Sequence, residues 1–284
     1  MPFETGPKEK LERKAYFAAR AWLQDLRKAI VFLTRIPVPG LSDSDKVEPN
    51  NEGENKSDKL PIITPMGRSV RAFPVIGALV GIFGGIVFAI TMLIGLPTLV
   101  ASVIAIASMV FVTGALHEDG LADMVDGLGG GKSRKQKLSI MRDSRIGAYG
   151  VIALVLVLGA KVGVLTELEN TSVVICALIC ASAFSRAVMP AMMRWMPAAQ
   201  NDGLASDAGK PPADAVWTGV AIAVLFCVCL LTWSGIVALI ISSCSACVVG
   251  FLARKQVGGH TGDVLGATQQ ISELIFLLTL VAIR

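Results

Sequence analysis

Apolar residues gather into seven long runs, near 72–95, 97–116, 148–168, 172–192, 214–234, 236–253 and 269–283. A helix of about 20 apolar residues crosses the ~30 Å hydrocarbon core of a bilayer. Each run predicts one such span. The last is short and fits if it enters tilted or is shielded by its neighbours. Ahead of the runs, residues 15–36 show a different period. Trp22, Leu26, Ile30 and Leu33 share one helical face, and Arg20, Arg27 and Lys28 fall mainly elsewhere. This predicts an amphipathic helix, either lying on the membrane surface or packed against the bundle. Pro37 and Pro39 end it. Residues 41–60 contain six acids, three lysines and almost no apolar mass, which predicts a disordered linker. The expected fold is all-α: a polytopic membrane helix bundle of about seven transmembrane helices with an N-terminal amphipathic interfacial helix. Its parts are the amphipathic segment 1–40, the linker 41–60 and a transmembrane domain 61–284 that carries the chemistry. No internal repeat is evident.

Composition supports the pattern. The 284 residues are 53% hydrophobic and 17% charged, where a soluble domain carries about 25% charge. Net charge is +4, which gives no reason to expect nucleic acid as a partner, because membrane proteins collect Lys and Arg on cytoplasmic loops. No cleavable signal peptide is expected. The Asn55-Lys56-Ser57 glycosylation pattern is too short to weigh. All six cysteines lie in apolar runs and are expected to be reduced, buried and structural. The turns near 96, 170 and 235 lack Lys and Arg, while 1–71, 117–147, 193–213 and 254–268 hold nearly all of both. That asymmetry predicts a cytoplasmic N-terminus and an outer C-terminus. Lys161, in the outer half of its span, is expected to snorkel outward.

This topology collects the polar motifs at the cytoplasmic face. In "HEDGLADMVDGL", Asp119, Asp123 and Asp126 are spaced to share a helical face, where bare carboxylates repel. A hard divalent cation removes the repulsion, and Mg²⁺ typically takes one or two carboxylates plus substrate phosphate oxygens. Glu118 adjoins the set, and His117 suits orienting or proton handling better than ligation of Mg²⁺. The bland alternative is an acidic helix start favoured by the dipole. Lys132, Arg134, Lys135 and Lys137 form a basic run, most of it expected to be solvated or headgroup-facing. Arg142 and Arg145 flank Asp143 and suit a diphosphate, as does the intramembrane Arg186. "DGLGGGKS" imitates a phosphate loop, but Asp126 stands where that pattern needs glycine and no strand precedes it. In "GGHTGDVLGA", His260, Thr261 and Asp263 offer a base, a hydroxyl and a carboxylate, and Glu273 follows inside the last span. Spacing alone supports metal-assisted attack on a diphosphate.

These blocks resemble the cobalamin synthase family, the adenosylcobinamide-GDP ribazoletransferases. "HEDGLADMVDGL", "IMRDSRIGAYG" and "GGHTGDVLGA" carry the resemblance. "FLTRIPVP" at 32–39 and "FPVIGALVG" at 73–81 extend it, with weaker matches at "SRAVMP", 185–190, and "DGLA", 202–205. Residues 41–60 read as an insertion, and "MPAAQNDGLA" has Ala199 and Gln200 where the family pattern has an arginine. The resemblance implies a multi-pass enzyme of the bacterial inner membrane with its site on the cytoplasmic side. It implies that adenosylcobinamide-GDP reacts with α-ribazole or its 5′-phosphate, giving adenosylcobalamin or its phosphate and GMP, with Mg²⁺ as cofactor. Carried onto this chain, Asp119, Asp123, Asp126 and Glu118 are the metal candidates. Arg142, Arg145 and Arg186 are the phosphate clamps, and Asp263, His260 or His117 is the base. Membrane lipids are the further partner, and association between copies stays open. A CDP-alcohol phosphotransferase is the nearest alternative enzyme, but its D-x-x-D-G-x-x-A-R pattern fails here because Met124 follows Asp123. A secondary transporter expects acids near the midplane of the spans, and a non-catalytic membrane scaffold is the remaining alternative.

Overall fold

A computed structural model describes residues 7–38, 67–200 and 209–283. The segment 41–60 and the block 202–205 lie outside them. The described chain is helical, with no strand and one isolated bridge between Ala198 and His260. The helices are α1 (Pro7–Leu33), α2 (Phe73–Leu93), α3 (Thr98–Thr113), α4 (Leu116–Gly130), α5 (Arg134–Met141), α6 (Ala148–Leu168), α7 (Thr171–Trp195), α8 (Ala213–Gln256) and α9 (Gly262–Ala282), with a short 3₁₀ turn at Ser69–Ala72 before α2.

Each of the seven apolar runs becomes a helix or an arm of one. The two runs at 214–234 and 236–253 are joined in the 44-residue α8. Straight, it would measure about 66 Å, twice a hydrocarbon core. It breaks at Thr232, whose φ of 53° and ψ of −129° lie outside the helical region. Two arms of membrane length result. The run at 97–116 ends early instead. α3 stops at Thr113 and α4 leaves it at 91°, so the acidic segment runs across the end of the bundle rather than through it. The last run is longer than its hydropathy suggested. α9 starts at Gly262, spans 21 residues and is the most deeply buried of the membrane-length helices.

α9 packs against α8, α4, α7 and α6, and α2 lies along α7. That second contact is close because Gly77 and Gly81 face the Ser182 and Leu178 carbonyls, where a Cβ would collide. Small residues let helices approach in a bilayer, where lipid offers no hydrophobic drive to associate. Phe88, Leu165, Leu178, Phe184 and Phe276 fill the middle of the bundle. Leu79, Ile86, Val155, Leu156, Ile240 and Phe251 point outward, a face that only lipid or a partner would cover.

α1 packs on the bundle. Ala29 and Leu33 are fully buried, with Trp22, Leu26 and Ile30 against the same cluster, while Tyr16, Phe17 and Leu23 are exposed. The anchor is polar. Arg71 pairs with Asp25 at 2.6 Å, Ser69 donates to the same carboxylate at 3.2 Å, and the guanidinium sits 4.2 Å from the centre of the Trp22 ring.

Candidate active site

The right-angle turn that makes the site is built by backbone. Gly114 and Ala115 both adopt positive φ, 65° and 57°, which glycine takes freely and alanine takes at a cost. The Arg35 N–H donates to the Val112 carbonyl at 2.8 Å, and its side chain lies over Gly114 where a Cβ would stand. Turned this way, α4 meets α9 backbone to backbone. A Cβ on Gly120 would lie 3.0 Å from the Asp263 Cα, and one on Gly266 would lie 3.2 Å from the Gly120 Cα. The crossing brings "HEDG" and "GGHTGD" together, 140 residues apart in sequence.

Asp119 and Asp263 therefore line one cavity of about 210 Å³, with His117 beside them. Its other walls are apolar: Phe32 and Leu33 of α1, Val70, Phe73, and Met189 and Met193 of α7. Asp123, one turn along α4, is pushed up to about 7, first by burial and then by the charges of Asp119, Asp263 and Asp126. The carboxylates thus share one field, and a cation or a proton relieves it. Among the described residues no three His, Cys, Asp or Glu side chains form a ready metal cage. An ion that keeps several waters and substrate oxygens does not need one.

Asp126 is differently placed. It is buried, and its two oxygens accept from the Gly147 N–H at 2.7 Å and the Gly150 N–H at 2.9 Å. It fixes the start of α6 and with it the Arg142–Gly147 loop. In that loop Arg145 is well exposed and forks onto Asp143, holding that carboxyl down to about 2. Arg142 donates to Gln200 and is within electrostatic reach of Asp263. The basic run is not a uniform solvated surface. Arg134 donates to the Val257 and Ala199 carbonyls, both at 2.8 Å, and Lys137 is buried against Gln256. Arg134 thereby staples a two-way backbone clamp, Ala199 N–H to His260 O at 2.8 Å and His260 N–H to Pro197 O at 2.9 Å. His260 is held by this clamp, and burial pulls its pKa below the usual value.

A second set of charges lies inward. Lys161 does not snorkel. It is 2% exposed, and its ammonium donates to Gln270 at 2.7 Å and to Glu273 at 3.3 Å. Glu273 also faces Arg186 at 3.7 Å and accepts from Ser185 at 3.4 Å and from Gln269. Glu118 accepts from Gln270 at 2.8 Å. Arg186 and Glu118 thus sit in an ionic core behind α4, apart from the face that carries Asp119. A carboxylate and an amide inside the bundle outcompete distant headgroups for a lysine that points at them. His117 lies between the two sets. It is buried, neither ring nitrogen has a hydrogen-bond partner among the described residues, and burial, then Arg186 and Lys161, pull its pKa well below the usual value. Gln269, Gln270 and Ser185 are the members that the sequence reading missed. Gln269 and Gln270 stand four and three residues before Glu273, a polar face on an apolar helix that could have marked them.

Membrane-length helices around a site of clustered carboxylates, with arginines at its edge, define a multi-pass membrane enzyme. The Cobalamin-5-phosphate synthase family model matches residues 25–281, and the chain belongs to that family. It is 41% identical to the adenosylcobinamide-GDP ribazoletransferase of Bradyrhizobium diazoefficiens, over 92% of this chain and 95% of the relative. It is 39% identical to the same-named protein of Mesorhizobium japonicum, over 91% and 93%. No solved structure matches the chain.

Proposed function

We propose that the chain transfers the adenosylcobinamide phosphate of adenosylcobinamide-GDP to α-ribazole, or to its 5′-phosphate, releasing GMP. The observation that carries this reading is the α4–α9 crossing, which sets Asp119 and Asp123 against Asp263 beside one apolar cavity in a chain of this family. Asp119 and Asp123 would hold Mg²⁺, an ion that neutralises charge on the diphosphate. Arg142, with Arg145 once it leaves Asp143, binds the phosphate oxygens. The acceptor hydroxyl oxygen bonds to the phosphorus nearer the cobinamide, and the bond from that phosphorus to the bridging oxygen breaks. GMP leaves with that oxygen, and the hydroxyl proton passes to Asp263. Among the three base candidates Asp263 is favoured: His117 lines the cavity too, but burial and the charges of Arg186 and Lys161 make it a weak base that resists taking up a proton, and His260 is clamped into a buried turn. The site faces the cytoplasm of a bacterial inner membrane.

Purified protein in nanodiscs, given adenosylcobinamide-GDP, α-ribazole and Mg²⁺, is expected to release GMP. Release should require the acceptor and stop with a chelator. No GMP, or release unaffected by omitting α-ribazole, overturns the reading. Release that survives chelation removes Mg²⁺ from it.

A further inference from the structure

The cavity beside Asp119 and Asp263 has a shape and polarity that distinguish the two substrates. Its volume, about 210 Å³, is below the roughly 300–1,000 Å³ that holds a drug-sized ligand. One flat bicyclic ring fits, and a corrin macrocycle does not; of the two flat bases at hand, the donor's guanine carries polar edges that these apolar walls would leave unpaired, whereas the acceptor's base is largely apolar. The walls supply surfaces for such a ring. Phe32 and Phe73 stack with ring centres 5.8 Å apart and 18° between planes. Met189 and Met193 add thioethers, which adapt to flat faces. Among the described residues no Lys or Arg lines it, so its walls offer a phosphate no cation of their own. Hydroxyl groups, by contrast, donate well to carboxylates.

We infer that this cavity is the acceptor subsite, taking the flat, largely apolar base of the acceptor nucleoside and directing its ribose hydroxyls toward Asp119 and Asp263. The inference rests on the ribazoletransferase reading and adds to it which substrate lies where. The donor's diphosphate then approaches from the Arg142 side, and the acceptor hydroxyl meets it at Asp263. It also gives α1 a role. Phe32 and Leu33, its last turn, form part of the wall, and the Asp25–Arg71 pair and the Arg35–Val112 bond hold that turn in place. Phe32 and Met193 are thus specificity residues for the base.

The test is GMP release with each substrate varied in turn, in Phe32→Ala and Met193→Ala. Losing one ring or thioether contact should raise the KM for α-ribazole about tenfold, the equivalent of ~1.4 kcal/mol. The KM for adenosylcobinamide-GDP should stay within about twofold, which also shows that the variants are folded. Phe32→Leu and Met193→Leu should recover part of the loss. Equilibrium binding of free 5,6-dimethylbenzimidazole to the full chain in nanodiscs should weaken in parallel. A raised donor KM with an unchanged acceptor KM assigns the cavity to the donor and overturns the inference. Two unchanged KM values, as expected if a lipid chain fills the cavity, overturn it as well. Wild-type protein that releases no GMP sinks the transferase reading itself, and the subsite with it. Wild-type turnover with unmoved acceptor kinetics sinks the subsite alone.

Discussion

Three aspartates at helical spacing differ in what surrounds them, and the difference sets their expected behaviour. Asp119 faces the cavity and Asp123 sits in the field of its acidic neighbours. Asn keeps their shape and removes the charge that an ion needs, so Asp119→Asn and Asp123→Asn should each cut turnover about a thousandfold, equivalent to ~4 kcal/mol. Raised Mg²⁺ should restore part of it, read as GMP release across a metal titration. Near-parental turnover in both would reduce the acidic block to a helix start. Asp126 has both oxygens committed to backbone N–H groups. An Asn there offers one acceptor and turns an N–H₂ toward the other donor, leaving a buried N–H unpaired at about 1–3 kcal/mol. Asp126→Asn should therefore lower the melting temperature more than Asp119→Asn does, and Mg²⁺ should not rescue it. Glu273 follows similar reasoning on a larger scale. Breaking a buried pair costs about 3–5 kcal/mol because it strands the opposite charge. Glu273→Gln removes the carboxylate that Lys161 and Arg186 share, leaving two cations against Glu118 alone, and should melt well below the parent. Equal melting would show that the interior ions are balanced by something else.

At the level of the helices, the site depends on two backbones that touch. A Cβ on Gly120 or Gly266 would press on the facing backbone at 3.0–3.1 Å, so a branched side chain must push it away, whereas a Cβ on Gly159 or Gly163 would meet nothing within 4 Å. Gly120→Val and Gly266→Val should push α4 off α9 and lower GMP release at least about a hundredfold, since an ångström of misplacement costs that much. Gly159→Ala and Gly163→Ala should be silent. If the valine variants, confirmed monodisperse, turn over normally, the crossing does not align the carboxylates. This crossing also marks what the sequence could tell. The apolar runs, the face of α1 formed by Trp22, Leu26, Ile30 and Leu33, and the residues at the crossing were legible because period and spacing record burial and composition. The right-angle turn after Thr113 was not, because hydropathy carries no direction and one glycine beside Ala115 is a weak signal for a bend. The start of α9 was hidden for the opposite reason. Thr268, Gln269, Gln270, Ser272 and Glu273 lower its hydropathy, yet all are buried; Gln269, Gln270 and Glu273 face partners on other helices that a single sequence does not display. Lys161 obeys the same rule, since snorkelling is the default only when no carboxylate waits inside.

Over the whole molecule, one end holds the chemistry. Phe73 begins α2, Met193 lies in the last turn of α7 and Asp263 in the first turn of α9, all three lining the cavity, and Asp126 anchors the start of α6 beside it. The opposite turns, at Ile94–Pro97, Glu169–Asn170 and Thr232, contain no Lys or Arg, while Arg71, Arg134, Arg142, Arg194 and Arg254 belong to the site end. Cytoplasmic loops retain Lys and Arg during insertion, so the site end is expected inside. That sidedness suits the proposed reaction, whose nucleotide leaving group would then be released where nucleotides are reused. The interior ions do not argue for a transporter in its place. Lys161 and Arg186 are matched by Glu118 and Glu273, and the space among them is only about 10 Å³, no larger than a single water needs. Ser133 is exposed at the site end and Glu169 is exposed at the other. In intact cells, with the native cysteines replaced, a membrane-impermeant thiol reagent should label Glu169→Cys and miss Ser133→Cys until the membrane is opened. Thr261→Cys should behave like Ser133→Cys. The reverse pattern would turn the molecule over, and the substrates would then have to reach Asp119 and Asp263 from outside, against the charge distribution that the basic end presents.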